Sequence, residues 1–320
     1  MRILVSGGSG YIGSVLSHIL SSNKIPFAII DNLSNSNTKY LPKKTKFYYG
    51  SIQNKVILNK IYKEFNPTHI IHLAASIDVN ESEIKREKYF KNNVINSKVF
   101  LDFFISKRIK NIFFSSTAAV YSYDNKIITE KNRTIPVNYY GKTKLLIENY
   151  LLKEKKKNNF NLKIFRFFNV IGTEKNLKTG NASKKSKHLF NSICDSILNS
   201  KKFIINGSNY KTEDGTCVRD FIDVQDLTKI ILFFLKNKPF IKEDIFNLGI
   251  NKGYSVLNTI MKFQKILNVK INYEAGPKRK GDIPKLICSN KKLKKYYKSK
   301  FTNISTTIKN HFKFYKNLKT

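Results

Sequence analysis

Residues 3–13 read Ile3-Leu4-Val5-Ser6-Gly7-Gly8-Ser9-Gly10-Tyr11-Ile12-Gly13, a short apolar run that breaks into glycines. Glycines at 8, 10 and 13 satisfy G-x-G-x-x-G, and those at 7, 10 and 13 give the wider G-x-x-G-x-x-G spacing. An amphipathic stretch, Gly13–Ser21, follows at once. Without side chains the backbone turns sharply and approaches a pyrophosphate, whose charge meets the amides of a helix N-terminus. Asp31 ends the next apolar run, eighteen residues after Gly13. A carboxylate there accepts hydrogen bonds from ribose hydroxyls and repels a 2′-phosphate, so the pattern calls for NAD rather than NADP.

Outward from this turn, short apolar runs alternate with amphipathic ones, the mark of βαβ units and a parallel sheet. Strands are expected at Ile3–Ser6, Phe27–Asp31, Lys46–Tyr49, Ile70–Leu73, Asn111–Ser115 and Leu162–Phe167, with helices near Gly13–Ser21, Asn54–Phe65, Tyr89–Lys107 and Tyr140–Lys157. The alternation stops after Asn169, and Gly172–Lys187 is polar enough to read as a loop. Shorter strands (Phe203–Ile205, Ile245–Leu248, Ile271–Tyr273) and helices (Leu189–Asn199, Val224–Leu235, Val256–Ile266) are expected beyond it. The fold class is therefore α/β, a Rossmann-type doubly wound parallel sheet with a smaller mixed α/β substrate domain. We expect residues 1–170 in the first domain, with a return of the chain around 217–250, and 171–320 in the second.

Composition sets bounds on this picture. The 320 residues carry 59 Lys or Arg against 22 Asp or Glu, a formal net charge of +37. With 41% apolar residues, wholesale disorder is excluded despite the charge. No apolar run approaches the ~20 residues that span a bilayer. Met1 leads directly into a strand, with no basic leader and cleavage site, and Cys194, Cys217 and Cys288 are too scattered for a disulfide framework or a zinc ribbon. A cytoplasmic protein with no membrane partner and no metal is expected. The charge favours anionic ligands. Yet the lysines are spread along the chain, and the clusters at Lys153–Lys157, Lys184–Lys187 and Lys291–Lys295 accompany no nucleic-acid-binding motif. A solvated basic surface without a specific nucleic-acid partner is the reading.

Tyr140-Gly141-Lys142-Thr143-Lys144 opens an expected helix, where residues four apart share a face and address one pocket. Tyrosine ionises near ~10 in model peptides, and acting as a base near neutrality needs a drop of roughly three units, or about 4 kcal/mol. A nearby lysine and a positively charged nicotinamide both favour the phenolate. Phe114-Ser115-Ser116-Thr117-Ala118-Ala119-Val120-Tyr121 adds a hydroxyl-rich turn just beyond a strand, where open α/β sheets bind ligands.

With these pieces assembled, the chain resembles the extended short-chain dehydrogenase/reductase superfamily and, within it, the UDP-glucose 4-epimerases. The likeness runs in order along Ser6–Ser14, Asp31–Ser36, His72–Ala75, Asn92-Asn93-Val94, Phe114–Tyr121, Tyr140–Lys144, Arg166–Asn169, Thr212–Asp220 and Arg279–Asp282. It implies that Tyr140 removes the proton of the sugar 4′-hydroxyl while C4′ gives hydride to NAD. Lys144 then holds the nicotinamide ribose and lowers the tyrosine pKa, and Thr117 hydrogen-bonds the 4′-oxygen. It further implies a NAD site formed by Gly7, Gly10, Tyr11, Ile12, Gly13, Asp31, Asn32, Ser51, Ile52, Leu73, Ala74, Ala75 and Asn92 together with Tyr140 and Lys144. Thr117, Asn169, His188, Arg219, Arg279, Asp282 and Leu286 are implied for the UDP-sugar, the two arginines on its diphosphate. A homodimer through two helices of the nucleotide-binding domain is implied as well. His18, His69, His72 and His311 show no ligand spacing and are expected to be structural.

Three residues depart from the family pattern. Ser51 replaces an Asp that contacts adenine, and Ile77 replaces a Lys near the cofactor, so NAD is expected to be held less tightly. Leu286 stands where a bulky Tyr in relatives refuses N-acetyl sugars. Leucine is smaller, which implies acceptance of UDP-N-acetylglucosamine and UDP-N-acetylgalactosamine beside UDP-glucose and UDP-galactose. The rivals are a 4,6-dehydratase, a decarboxylase, a reductase and a non-catalytic NAD- or RNA-binding member of the fold. A dehydratase needs an acid and a base directly after the threonine, where this chain has Ala118 and Ala119. Glu is usual in that stretch of decarboxylases, and Asp31 opposes the NADP a reductase would tolerate. The non-catalytic reading conflicts with the chemical competence of Thr117, Tyr140 and Lys144.

Overall fold

Ile3, Leu4 and Val5 offer no side chain to water on either face, the pattern of a parallel strand covered by helices on both sides. In the computed structural model, which describes residues 1–122, 127–182, 188–237, 241–242, 244–279 and 281–319, this run is fully buried. The strands are β1 (Ile3–Ser6), β2 (Phe27–Asp31), β3 (Lys46–Tyr49), β4 (His69–His72), β5 (Asn111–Thr117), β6 (Asn161–Phe167), β7 (Asn169–Ile171), β8 (Phe203–Asn206), β9 (Val218–Asp223), β10 (Ile245–Leu248), β11 (Gly253–Ser255), β12 (Tyr273–Gly276) and β13 (Lys285–Leu286). Seven of them form one sheet in the order β10-β6-β5-β4-β1-β2-β3. β1 pairs in parallel with β2 on one side and β4 on the other, with Ser6 beside both Ile30 and His72. Strand order reverses at β1, and open sheets bind their ligands beyond the strand ends at such a switch point.

The chain folds as two compact units. The first takes residues 1–122, 130–167 and 231–246, so the chain returns to it over a shorter stretch than 217–250. Its helices are α1 (Tyr11–Ser22), α2 (Lys55–Phe65), α3 (Val79–Ile84), α4 (Arg86–Phe90), α5 (Asn96–Ser106) and α6 (Tyr139–Lys157). Leu4, Ile30, Ile70, Ile112 and Ile164 from five strands pack with Phe100, Phe104, Ile147 and Leu151 in one apolar cluster. The helix expected over Tyr89–Lys107 is interrupted by a π turn at Lys91–Ile95. Its cause is polar: the Asn93 side chain accepts from Ser76 N–H at 2.8 Å and donates to Ser76 O at 2.9 Å and Thr143 Oγ1 at 3.1 Å. A widened turn lets the amide reach both partners.

The second unit comprises the described residues of 123–129, 168–230 and 247–320. In it β9 is flanked by β11 and β13, and β7 also pairs with β9. Helices α7 (Leu189–Leu198), α9 (Val256–Leu267) and α11 (Ile304–Lys319) surround Phe190, Phe221, Phe263 and Ile308, while α8 (Val224–Asn237) follows β9 and a short α10 (Lys291–Lys294) follows β13. The strand expected at Ile271–Tyr273 lies at Tyr273–Gly276, because the Ile271 N–H is taken by the Gln264 side chain and pairing with β8 starts two residues on. The Lys184–Lys187 cluster lies outside the described residues. Among the described residues no helix is long and apolar enough to cross a membrane, and no three His, Cys, Asp or Glu side chains are placed to hold a metal. All three cysteines are buried, and none of them forms a disulfide.

Asp223, at the end of β9, accepts from the Thr307 hydroxyl of α11 at 2.6 Å and from the Gln225 N–H at 2.8 Å. Burial lifts its carboxyl to about 6, against the lowering effect of those bonds. The folded chain then holds this proton more tightly than the unfolded chain between about pH 4 and 6, so stability falls as pH rises through that window. Asp223→Asn has no charge to bury; its Oδ1 still accepts from the Gln225 N–H, and its amide nitrogen donates to the Thr307 hydroxyl in place of the accepted bond. Urea unfolding should show the wild type losing up to about 3 kcal/mol relative to Asp223→Asn between about pH 4 and 7. Parallel stability curves for the two proteins would show that the carboxylate is buried without cost.

Candidate active site

The glycine turn touches the next strand over. Gly7 has φ +70°, and a Cβ on it would lie 2.6 Å from Ala74 N, so this position admits only glycine and sets the turn directly on Leu73 and Ala74. Behind it the Ser9 N–H donates to Asp31 Oδ2 at 3.0 Å. The Ser9 hydroxyl is buried with no partner, α1 has no capping side chain, and no acidic residue stands in its first turn. An orphaned hydroxyl and an uncapped helix start are groups that a diphosphate would satisfy. Gly10, Tyr11, Ile12 and Gly13 provide that start. The residues fit a dinucleotide.

Asp31 is nearly buried, and Oδ1 accepts from the Leu33 N–H at 2.9 Å and the Ser36 hydroxyl at 3.3 Å. Three of about four acceptor positions are thus in use, leaving room for one ribose hydroxyl rather than two unless Ser36 moves. Asn32 reaches Ser51 Oγ at 3.4 Å, beside buried Ile52, so the residue in place of the family's Asp is tied to the chain itself. Ala75 follows Ala74 toward Ser76, whose hydroxyl accepts from Asn92 at 3.1 Å. Ile77 is 57% exposed.

Helix α6 begins against the turn that follows β5. Its first N–H groups are taken one by one: Tyr139 by Glu83 at 2.6 Å, Tyr140 by the Ser82 hydroxyl at 3.1 Å, and Gly141 by the Asn138 side chain at 2.8 Å. A Cβ on Gly141 would lie 2.2 Å from the Ala119 carbonyl, so the helix meets the turn after β5 only because side chains are missing there. This approach brings Tyr140 to Thr117, whose hydroxyl bonds the phenol oxygen. One turn on, Lys144 is buried and donates to Ser115 O at 2.8 Å.

The expected lowering of the phenol by the lysine is not what this geometry produces. Burial pushes Tyr140 up to about 12, and only the Thr117 bond opposes it. Burial likewise pushes Lys144 down to about 7, with Glu148 opposing. A dry pocket favours the neutral form of both groups, so the protein alone does not make the base.

In the second unit, Arg219 on β9 lies opposite Leu286 on β13. Its NH1 donates to the Val218 and Ile283 carbonyls at 3.0 and 2.6 Å and its NH2 faces Asp282 at 3.3 Å. Three of five donors are used, which leaves a guanidinium edge for an anion. Leu286 is buried, Arg279 is exposed, and the Asp282 N–H bonds the Arg279 carbonyl. Asn169 opens β7 beside Phe221 of β9, and exposed His188 starts α7. The remaining histidines have protein partners: His72 lies between Ser6 and Ser97 at 2.6 and 2.9 Å, His311 meets Asn191, His18 the Tyr40 carbonyl and His69 Thr68.

Sequence reasoning missed Asn93, Ser82, Glu83 and Glu148 as supports of the site. Asn93 sat in a quoted motif, but nothing in spacing told it apart from Asn92. Glu148 was visible as the next residue four on from Lys144.

The chain matches the NAD dependent epimerase/dehydratase family over residues 3–249. It is 33% identical to UDP-glucose 4-epimerase of Lactobacillus helveticus over 321 residues, covering 99% of this chain and 97% of that one. A crystal structure of UDP-glucose 4-epimerase from Bifidobacterium longum in complex with NAD+ and UDP is similar at a TM-score of 0.92 and 27% identity, covering 99% of this chain and 98% of that one. The UDP-Glc/GlcNAc 4-epimerase of Campylobacter jejuni is similar at a TM-score of 0.83 and 29% identity, covering 99% of both chains. The match over most of the length makes this chain a member of the NAD dependent epimerase/dehydratase family.

Proposed function

We propose that the protein is an isomerase that inverts C4 of a UDP-hexose with NAD as a retained hydride carrier. The observation that carries this is the meeting of Thr117, Tyr140 and Lys144 at the end of β5, in the same unit as the glycine turn. Oxidised NAD, held by the glycine turn and Asp31, would supply a hydride acceptor for C4′ and a positive charge that the half-buried phenol lacks. Tyr140 takes the proton of the 4′-hydroxyl at its phenol oxygen and gives it back after the 4-keto sugar has turned. Thr117 bonds that phenol oxygen and stands where the 4′-oxygen would be held. Lys144 is anchored on the Ser115 carbonyl, which keeps its ammonium near the phenol and the ribose. On the second unit, Arg219 and Arg279 are the guanidinium groups we assign to the diphosphate, with Asp282 steering Arg219. Asn169 and His188 are assigned to the same substrate. Ala118 is buried and Ala119 stands over the start of α6, so no acid or base follows Thr117 and dehydration has no agent.

Incubation of the purified protein with UDP-galactose, without added NAD, should give the 4-epimer by NMR. Tyr140→Phe should lower turnover by about 10²–10⁴ while UDP binding persists; near-full turnover in that variant would remove the base from the mechanism.

Leucine at 286 supports a wider substrate range. Its side chain is smaller than tyrosine and is buried beside Arg219. Leu286→Tyr should lower the ratio of UDP-N-acetylglucosamine to UDP-glucose turnover by about tenfold or more, an effect of filling a pocket rather than of chemistry. An unchanged ratio would place the discrimination elsewhere.

We also assign a cytoplasmic homodimer, as the family resemblance implies. Three buried cysteines outside any disulfide suit a reducing compartment. Ile95, just before α5, and Leu146 on α6 are 47% and 39% exposed, apolar groups on the two helices that would pair. Ile95→Lys/Leu146→Lys should halve the mass measured by sedimentation; a wild-type monomer, or a variant that stays dimeric, would rule out this interface.

A further inference from the structure

Three residues spaced four apart on α6 meet three consecutive residues of β5. Tyr140 bonds Thr117, Lys144 bonds the Ser115 carbonyl, and Glu148 accepts from the Ser116 hydroxyl. Two of these rungs carry the chemistry proposed above, and the third has no part in it. Glu148 is 1% exposed and pairs with Arg166 of β6, whose Nε and NH2 reach it at 3.0 and 2.6 Å. Arg166 is itself buried and spends NH1 on the Tyr121 hydroxyl at 2.8 Å. Burying two charges costs hydration that their mutual attraction scarcely returns, and an apolar pair of the same volume is often as stable. Stability is therefore a poor reason for an ion pair at this place.

The groups around Lys144 suggest a better one. On its own helix it faces Tyr140 and Glu148, and the aromatic ring of Phe114 lies 4.9 Å from its Nζ. From β4 it faces His72, an imidazole that burial and the lysine keep neutral. From β6 comes Arg166, on the other side of the Glu148 carboxylate and bonded to Tyr121, and it is Glu148 whose charge acts on Lys144. Glu148 is the acidic group among these, one helical turn from the ammonium.

We propose that Glu148 is a positioning residue that keeps Lys144 charged in its dry seat, with Ser116 and Arg166 holding the carboxylate in register with it. The inference rests on the reading that Tyr140 and Lys144 perform the reaction. Burial drives the Lys144 ammonium down to about 7, and Glu148 is the group that opposes the fall. Without the carboxylate the lysine loses its proton in the working pH range, and the cation that favours the phenolate goes with it.

Glu148→Gln/Arg166→Met removes both charges together, so that neither is left buried alone. The variant, purified as holoenzyme, should melt as a folded protein and bind UDP within about threefold of the wild type, while the rising limb of kcat against pH moves up by about one unit or more. Turnover at pH 7 then falls about tenfold and recovers toward alkaline pH, which a loosened fold would not do. A profile that superimposes on the wild type, or an equal loss at every pH, overturns the proposal. Should the double variant not fold, Ser116→Ala leaves the ion pair intact and frees the carboxylate on one side. It should move the same limb upward, and an unmoved limb is again decisive against the role. Tyr140→Phe run in parallel separates the two levels: if it keeps its turnover, the reading of the site fails, whereas an inactive Tyr140→Phe beside an unshifted Glu148 variant defeats this inference alone.

Discussion

The start of α6 can lie against the end of β5 because two backbones touch there without side chains between them. A Cβ on Gly141 would fall 2.2 Å from the Ala119 carbonyl, closer than real atoms approach. The polar contacts between α6 and β5 follow from this close approach. It sets the helix register so that positions 140, 144 and 148 each meet a hydroxyl or carbonyl of Ser115-Ser116-Thr117. It also explains why the helix start is so thoroughly held, with Glu83, Ser82 and Asn138 each taking one of its N–H groups. A helix end tied at three points has little freedom to fray, and a base carried on its first turn keeps its place.

Burial has a second consequence, which opposes the first. The same dry packing that fixes Tyr140 raises its pKa, and that which fixes Lys144 lowers it. Position and charge are in competition, and the chain resolves the two cases differently. For the lysine it sets a carboxylate one turn away. For the tyrosine it provides a threonine hydroxyl, so in the proposed mechanism the phenol relies on an external cation to act as a base. A site built like this stays quiet without its dinucleotide, which suits a cofactor that is kept rather than exchanged.

How much of this was legible in the sequence depends on range. β2 and β3 fall at the expected bounds because alternation and strand length are local properties. The glycine turn was equally plain, since Gly7, Gly10 and Gly13 have few other reasons to stand at that spacing. The π turn at Lys91–Ile95 was invisible: it exists because Asn93 reaches Ser76 and Thr143, one of them fifty residues away. Helix α11 was missed for a related reason. Its lysines hide the periodicity, and Thr307, Ile308, His311 and Phe314 alone are buried along it. The rise of Tyr140 in the chain alone was not legible, because spacing reveals a neighbouring lysine and says nothing of how far the phenol is withdrawn from water.

The excess of positive charge gains meaning once burial is known. Among the described residues, Asp31, Glu148, Glu174, Asp220, Asp223 and Asp226 are buried, and most of them serve backbone N–H groups or hydroxyls of the chain itself. Asp220 shows the pattern: its carboxylate accepts from the Ile250, Asn251 and Cys288 N–H groups at 2.8, 2.9 and 3.3 Å. These six acids are thus spent inside, most of them holding a loop or a turn in place. Few lysines or arginines are buried with them, Lys144, Lys163 and Arg166 among the described residues. The surface is left more basic than the composition alone implies. A field of that sign draws any phosphorylated ligand from solution without choosing among them. Selection then has to come from fixed groups at short range, such as a guanidinium held by two carbonyls and a carboxylate at Arg219.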